Sequence, residues 1–174
     1  MREYTTQMEA ARKGIIAPEL RAVATKEFRT EEELRALVAK GQVVICANKL
    51  HTCIDPNGIG SMLRTKINVN LGVSRDCNDY DIELQKVMSA VDLGAEAIMD
   101  LSSHGNTQPF RKYLVEKCPA MIGTVPVYDS VIHYQRDLAT LTAKDFIDVV
   151  RLHAADGVDF VTLHCGITRK TIQQ

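Results

Sequence analysis

The sequence predicts an α/β fold: a partial (β/α)8 barrel of about four to five parallel strand–helix units after an N-terminal helical arm. Three observations predict it. Four short apolar runs, Thr65–Asn70, Glu96–Asp100, Met121–Tyr128 and Val158–His164, each end in a polar or reactive residue, with helix-like segments between them. The runs are nearly continuous in apolar residues, as in parallel strands covered on both faces. The chain has 174 residues, whereas an eight-unit barrel takes about 250, so the cadence stops roughly halfway round. In such barrels the active site lies at the carboxyl ends of the strands, which is where these polar residues fall.

Each element has a local reason. Residues 1–14 read as a polar helix or arm ending at Gly14, and Pro18 suits the first turn of a short helix through Ala24. Thr30 and Glu33 form a capping box that opens a helix to about Lys40, stopped by Gly41. Val43–Ala47 is a brief strand-like run. In Asn48–Gly60, the sequence Asp55-Pro56-Asn57-Gly58 signals a turn. Thr65–Leu71 is the next strand. Asp79–Leu93 is a helix, with Ile82, Val87, Ala90 and Val91 near one face and Gly94 at its end. Ala95–Leu101 is a strand followed by the loop Ser102–Asn106. Thr107 caps a helix through Glu116, with Pro109 early in it. Met121–Val127 is a strand, and Thr142 caps a helix over Ala143–Ala155 with Phe146, Val149, Val150 and His153 inward. Val158–Leu163 is the last strand, and Thr168–Gln174 reads as the start of another helix. The division expected is an arm over 1–41 and the first half of a catalytic barrel over 42–174.

Composition narrows the function classes. Lysine and arginine number 21 against 22 acidic residues, so there is no basic face and nucleic acid is not an expected partner. No apolar run approaches the ~20 residues of a membrane span, and the polar Met1–Glu9 is not a secretory signal. Five widely spaced cysteines without a CxxC pair predict reduced thiols and a cytoplasmic setting. They do not encode a locally built zinc or iron–sulfur site. Tryptophan is absent and aromatics are few, which argues against a carbohydrate or base-stacking groove. No GxGxxG loop follows the first strand.

Candidate ligand-binding residues follow from the strand ends. Asn48, Lys49 and His51 could bind a polar or anionic ligand, or be solvated turn residues. Asn70 either forms a turn or offers a substrate amide contact. Met99 taken alone is core filler, and Asp100 is either buried and paired or aimed at the barrel mouth. Ser102, Ser103 and His104 sit on a loop where Gly105 permits close backbone approach. Tyr128 can bury its ring and aim its hydroxyl at a ligand or make a structural bond. His164, ahead of Cys165-Gly166, is the best single candidate for a substrate contact or proton transfer, the alternative being a satisfied core histidine. His133 and His153 read as structural, and no HExxH or His/carboxylate cluster appears.

Several segments together resemble a known family. They are Thr6-Gln7-Met8 with Ala11–Ile15, Ala47-Asn48 with His51, Lys66–Gly72, Ile98-Met99-Asp100-Leu101-Ser102, Ile122–Tyr128 and Gly157–Gly166. The chain is similar to the radical S-adenosylmethionine phosphomethylpyrimidine synthases of thiamine biosynthesis. The resemblance covers essentially all of the chain but only the first part of such an enzyme. It implies a lyase that converts 5-aminoimidazole ribonucleotide to 4-amino-5-hydroxymethyl-2-methylpyrimidine phosphate by radical rearrangement. It also implies substrate contacts at Asn70, Met99, Tyr128 and His164; Asn48, His51, Asp100, Ser102, Ser103 and His104 stay as additional candidates from their positions in the sequence. The catalytic residues remain unassigned.

S-adenosylmethionine, a [4Fe-4S] cluster and a second metal ion are the implied cofactors, all requiring sequence outside these 174 residues; no metal ligand is expected within them. The sequence departs from the family pattern at Cys46, where a proline is usual, and in the Ser-Ser-His-Gly loop after Leu101. A paralogous reading is 5-hydroxybenzimidazole synthase of cobamide lower-ligand assembly, with the same substrate and cofactors. A reading of another class is a non-catalytic half-barrel for nucleotide binding or assembly. The segment alone is expected to be inactive, and to form a homo-oligomer such as a dimer or to need a complementing C-terminal chain.

Overall fold

The computed structural model describes residues 3–166 and Lys170. The helix expected over Thr168–Gln174 lies, Lys170 apart, outside the described residues. Three short helices come first: α1 (Gln7–Arg12), α2 (Pro18–Lys26) and α3 (Glu31–Ala39). Thr6 caps α1 by accepting from Glu9 N at 3.0 Å. Pro18 opens α2, where a missing N–H costs nothing. The Thr30/Glu33 capping box is complete, at 3.2 and 3.0 Å. Apolar faces of the three meet in one cluster through Ala11, Leu20, Val23, Leu34 and Val38.

That cluster continues into Val43 and Ile45 of β1 (Val43–Cys46), across the expected boundary at residue 41. The sequence predicts β1 as the leading strand of the parallel sheet, and the structure corrects this. β1 pairs antiparallel with β2 (Asn57–Gly60) in a separate two-stranded sheet. The sequence predicts a loop at β2, because Asn57 and two glycines read as turn residues. Backbone pairing with β1 overrides that composition.

The main sheet holds β3 (Asn68–Leu71), β4 (Ala97–Asp100), β5 (Met121–Thr124) and β6 (Phe160–Val161). All pairs are parallel and the spatial order follows the sequence, β3-β4-β5-β6. α4 (Tyr80–Asp92) and α5 (Gln108–Lys117) connect the first three strands. α6 (Pro126–Tyr134) and α7 (Ala143–Ala155) precede β6 and pack on each other. Leu71, Ile98 and Ile122 bury one sheet face against Val87 and Ala90 of α4 and Phe110, Leu114 and Val115 of α5.

Four further differences from the sequence expectations matter. β5 stops at Thr124 rather than Val127, because Pro126 cannot donate to a ladder and instead opens α6. β6 has two paired residues rather than six. Ile82 faces solvent, and the buried residue of that turn is Glu83, whose carboxylate accepts from Gly72 N at 2.8 Å. Thr107 precedes α5 but does not cap it; its hydroxyl donates to Asp129 at 2.6 Å.

Candidate functional site

Register defines the face of the sheet opposite α4 and α5. Aligned residues of parallel strands point the same way, and side chains alternate along each strand. Val69, Leu71, Ile98 and Ile122 take the helix side. Asn68, Ala97 and Met121 therefore share one level of the other face, and Asn70, Met99, Gly123 and Phe160 share the next. Asn70 and Met99, both expected as ligand contacts, are register partners on adjacent strands. Asn68 Nδ2 donates to Asn70 Oδ1 at 2.9 Å, which orients the amide of the exposed Asn70. Met99 is buried, its Sδ 4.0 Å from Thr162 Oγ1.

Beyond the strands, Gly72 turns the chain after β3. Its φ is +139°, and a Cβ there would stand 2.5 Å from Ser102 N, so the turn requires glycine. Tyr128 does not end a strand; it lies exposed in the first turn of α6. His164 lies past β6 and is exposed. Their rings nonetheless come together, 6.1 Å between centroids with planes tilted by 45°. The four principal candidates thus form two pairs at the carboxyl end: Asn70 with Met99, and Tyr128 with His164.

The additional candidates divide. Asn48 and His51 go to the opposite, amino end of β6, where both are fully engaged. His51 Nδ1 meets Asp159 Oδ2 at 2.7 Å, and Nε2 meets Cys118 O at 2.7 Å, with both partner side chains of the ion pair fully buried. Both neighbours are acceptors, so both ring nitrogens must donate, which is the imidazolium form. Burial opposes that charge, but the hydrogen bond and charge of Asp159 outweigh it and raise the His51 pKa. Asp159 also accepts from Asn48 N at 2.7 Å and Ile122 N at 2.8 Å. Asn48 Nδ2 donates to Ala154 O and Val158 O, both at 2.9 Å.

Asp100 points to the helix side and is buried; its Oδ1 accepts from Ser102 N at 2.9 Å. Burial raises its pKa against that hydrogen bond and the Arg111 charge. Ser102 Oγ accepts from Val73 N at 3.1 Å, and Ser103 N donates to Val73 O at 2.9 Å, so this loop is bound to the one after β3. His104 lines an outer cleft of about 560 Å³ with Arg111, Asp129 and His133. Tyr128 and His164 are not among the residues lining that cleft.

Sequence reasoning missed a buried polar network behind the sheet. Arg111 reaches Asp156 at 2.8 Å and Asp129 at 3.4 Å. His153 bridges Thr124 Oγ1 at 2.8 Å and Asp129 Oδ2 at 2.9 Å. Burial disfavours the Asp129 charge, but bonds from His153 and Thr107 and the Arg111 charge hold its pKa down at about 2. Ordinary spacing rules could not find this set, because its members come from α5, β5, α6 and the end of α7. Among the described residues, no three His, Cys, Asp or Glu side chains are grouped to hold a metal. No described helix is long and apolar enough to cross a membrane.

A parallel sheet in sequence order, with helices packed on one face, defines an α/β protein. Comparison with known proteins is specific. The model of the Radical SAM ThiC family matches residues 6–174. Phosphomethylpyrimidine synthase of Alkaliphilus oremlandii (strain OhILAs) is 59% identical over 171 residues, covering 98% of this chain and 39% of that protein. The phosphomethylpyrimidine synthase of Clostridioides difficile (strain 630) is 56% identical, with 98% and 40% covered. That of Pelotomaculum thermopropionicum is 57% identical over 168 residues, with 97% and 39% covered. The chain belongs to the Radical SAM ThiC family, and it spans about two fifths of the length of these curated relatives.

Proposed function

We propose that these residues form the substrate-binding half of a (β/α)8 barrel in a radical S-adenosylmethionine lyase. The reaction is conversion of 5-aminoimidazole ribonucleotide to 4-amino-5-hydroxymethyl-2-methylpyrimidine phosphate in thiamine biosynthesis. The observation that carries the reading is the convergence of Asn70, Met99, Tyr128 and His164 on the carboxyl end of one parallel sheet. Family membership and relatives named phosphomethylpyrimidine synthase support it. In this role the Asn70 amide and Tyr128 hydroxyl hydrogen-bond the ligand's polar edges. Met99 offers a polarisable apolar contact, and His164 binds or exchanges a proton with the substrate.

The barrel reading rests on strand order and on the sheet edges. An in-order sheet with α4 and α5 on one face is how a barrel begins. β3 ends the described sheet on one side. Beside it lies an apolar groove of about 630 Å³ lined by Ile67, Val69, Ile82, Ala90 and Leu93. Leu93 is 89% exposed, and Ile67 60%. A further strand–helix unit would cover both edge and groove. A complementing C-terminal segment is the occupant that the family's length favours, and a homo-oligomer is the alternative.

The described residues do not fit a [4Fe-4S] cluster. Cys46, Cys53, Cys77, Cys118 and Cys165 are dispersed, and burial lifts the Cys46 thiol to about 11, helped by the Asp159 charge. The cluster and S-adenosylmethionine site belong, in this reading, to sequence outside these residues, and the segment alone is inactive. The test is to reconstitute the full-length enzyme carrying this segment, supply the ribonucleotide, reductant and S-adenosylmethionine, and identify the product by mass spectrometry. The pyrimidine phosphate is expected. A 5-hydroxybenzimidazole product would overturn the reaction while keeping the substrate.

A further inference from the structure

Gly123 sits at the centre of the open sheet face, in register between Met99 and Phe160. The Phe160 ring reaches from β6 across β5 and lies directly over it. A Cβ built on Gly123 would stand 2.3 Å from Cζ, 2.4 Å from Cε2 and 2.8 Å from Cε1. These are atoms of the far half of the ring, so the ring spans β5 toward β4. Met99 leans in from the other side, where its Sδ lies 4.0 Å from Thr162 Oγ1. Strands are about 4.8 Å apart, so side chains from β4 and β6 must bridge roughly 10 Å to meet. They can do so because β5 carries no side chain at that level.

The ring also divides the face. Below it, with Ala97 and Met121, is a cavity of about 440 Å³ lined also by Leu63, Arg64 and Lys66. Above it lie Thr162 and then the Tyr128–His164 pair. A flat ring at the level of Asn70 and Met99 is therefore the floor of the carboxyl-end site.

We propose that Phe160 is a substrate contact: its ring, laid over Gly123 beside Met99, is the platform for the five-membered heterocycle of the ribonucleotide. Gly123 is then the specificity position that lets the platform form. This rests on the substrate reading above and adds a residue to it. One ring serves here where the composition offers no stacking groove. A ring-on-ring contact gains roughly three- to tenfold in affinity over an aliphatic side chain.

The test is calorimetric titration of the full-length enzyme carrying this segment with two probes, aminoimidazole ribonucleotide and ribose 5-phosphate, which lacks the heterocycle. Phe160→Leu keeps apolar bulk and should weaken the ribonucleotide about three- to tenfold while leaving ribose 5-phosphate unchanged. Phe160→Tyr should retain wild-type affinity, and Gly123→Ala should behave like Phe160→Leu. Equal weakening of both probes, or no change in either for the folded Leu variant, overturns the platform. If Asn70→Ala and His164→Ala also leave ribonucleotide affinity intact, the substrate reading of the site fails as well. If those two lose affinity and Phe160→Leu does not, only the platform fails.

Discussion

Tyr128 and His164 meet at 6.1 Å between ring centroids although 36 residues separate them and neither belongs to a strand. One is carried by the first turn of α6, the other by the segment after β6. Both are exposed, so neither is held there by core packing. Replacing either by alanine should leave the unfolding midpoint within the ±0.5 kcal/mol usual for surface changes, by urea titration of the 174-residue chain. In the full-length enzyme each should weaken ribonucleotide binding by about 1–2 kcal/mol, roughly 5- to 30-fold. A large loss of stability would instead make the pair structural.

The His51–Asp159 pair should behave in the opposite way. It is fully buried and ties the segment after β1 to β6 and, through Cys118 O, to the start of β5. His51→Gln strands a buried carboxylate, at a cost of about 3–5 kcal/mol. Chemical denaturation of His51→Gln and Asp159→Asn should show that loss in each. The double variant should cost less than the sum, since each single change already breaks the same pair.

The same pair predicts a pH dependence. The His51 pKa is raised in the folded state above its ordinary 6.5. Its stabilising contribution is therefore complete below pH 6.5 and is lost as pH rises through the raised folded value. Asp129 runs the other way: its pKa is lowered from 3.8 to about 2, so its contribution is present above pH 3.8 and lost as pH falls through 2. Urea midpoints measured from pH 4 to 9 should fall on the alkaline side in wild type. That fall should be absent from His51→Gln; its persistence there would assign it to another group.

Gly72 offers a backbone test. Its φ of +139° and the 2.5 Å approach of Ser102 N leave no room for a side chain. Gly72→Ala should destabilise by at least about 1–3 kcal/mol and shift the loops after β3 and β4. Hydrogen exchange at Val73 and Ser103, whose backbones are bonded at 2.9 Å, would report the shift.

What was legible in the sequence was local. The Thr30/Glu33 capping box and the Thr142 cap announce their helices because a cap is a contact within four residues. Four strand–helix repeats announce the parallel sheet for the same reason. Pairing partners of β1 were not legible, because Asn57–Gly60 has turn composition and becomes a strand only when β1 is present to bond it. Pro126 is a local signal of the end of β5, since a proline within an apolar run marks a helix start as readily as a strand end. His51 and Asn48 were read as turn or ligand residues because Asp159, their partner, lies 108 and 111 residues away. Met99 joined the candidates only through resemblance; its register with Asn70 and its reach to Thr162 supply the physical ground.

The most direct measurement is the affinity of 5-aminoimidazole ribonucleotide for the full-length enzyme with Asn70→Ala and His164→Ala combined. If these strand ends form the substrate wall, the double variant stays folded and binding falls by roughly a hundredfold or more. Wild-type affinity in a folded double variant would contradict it.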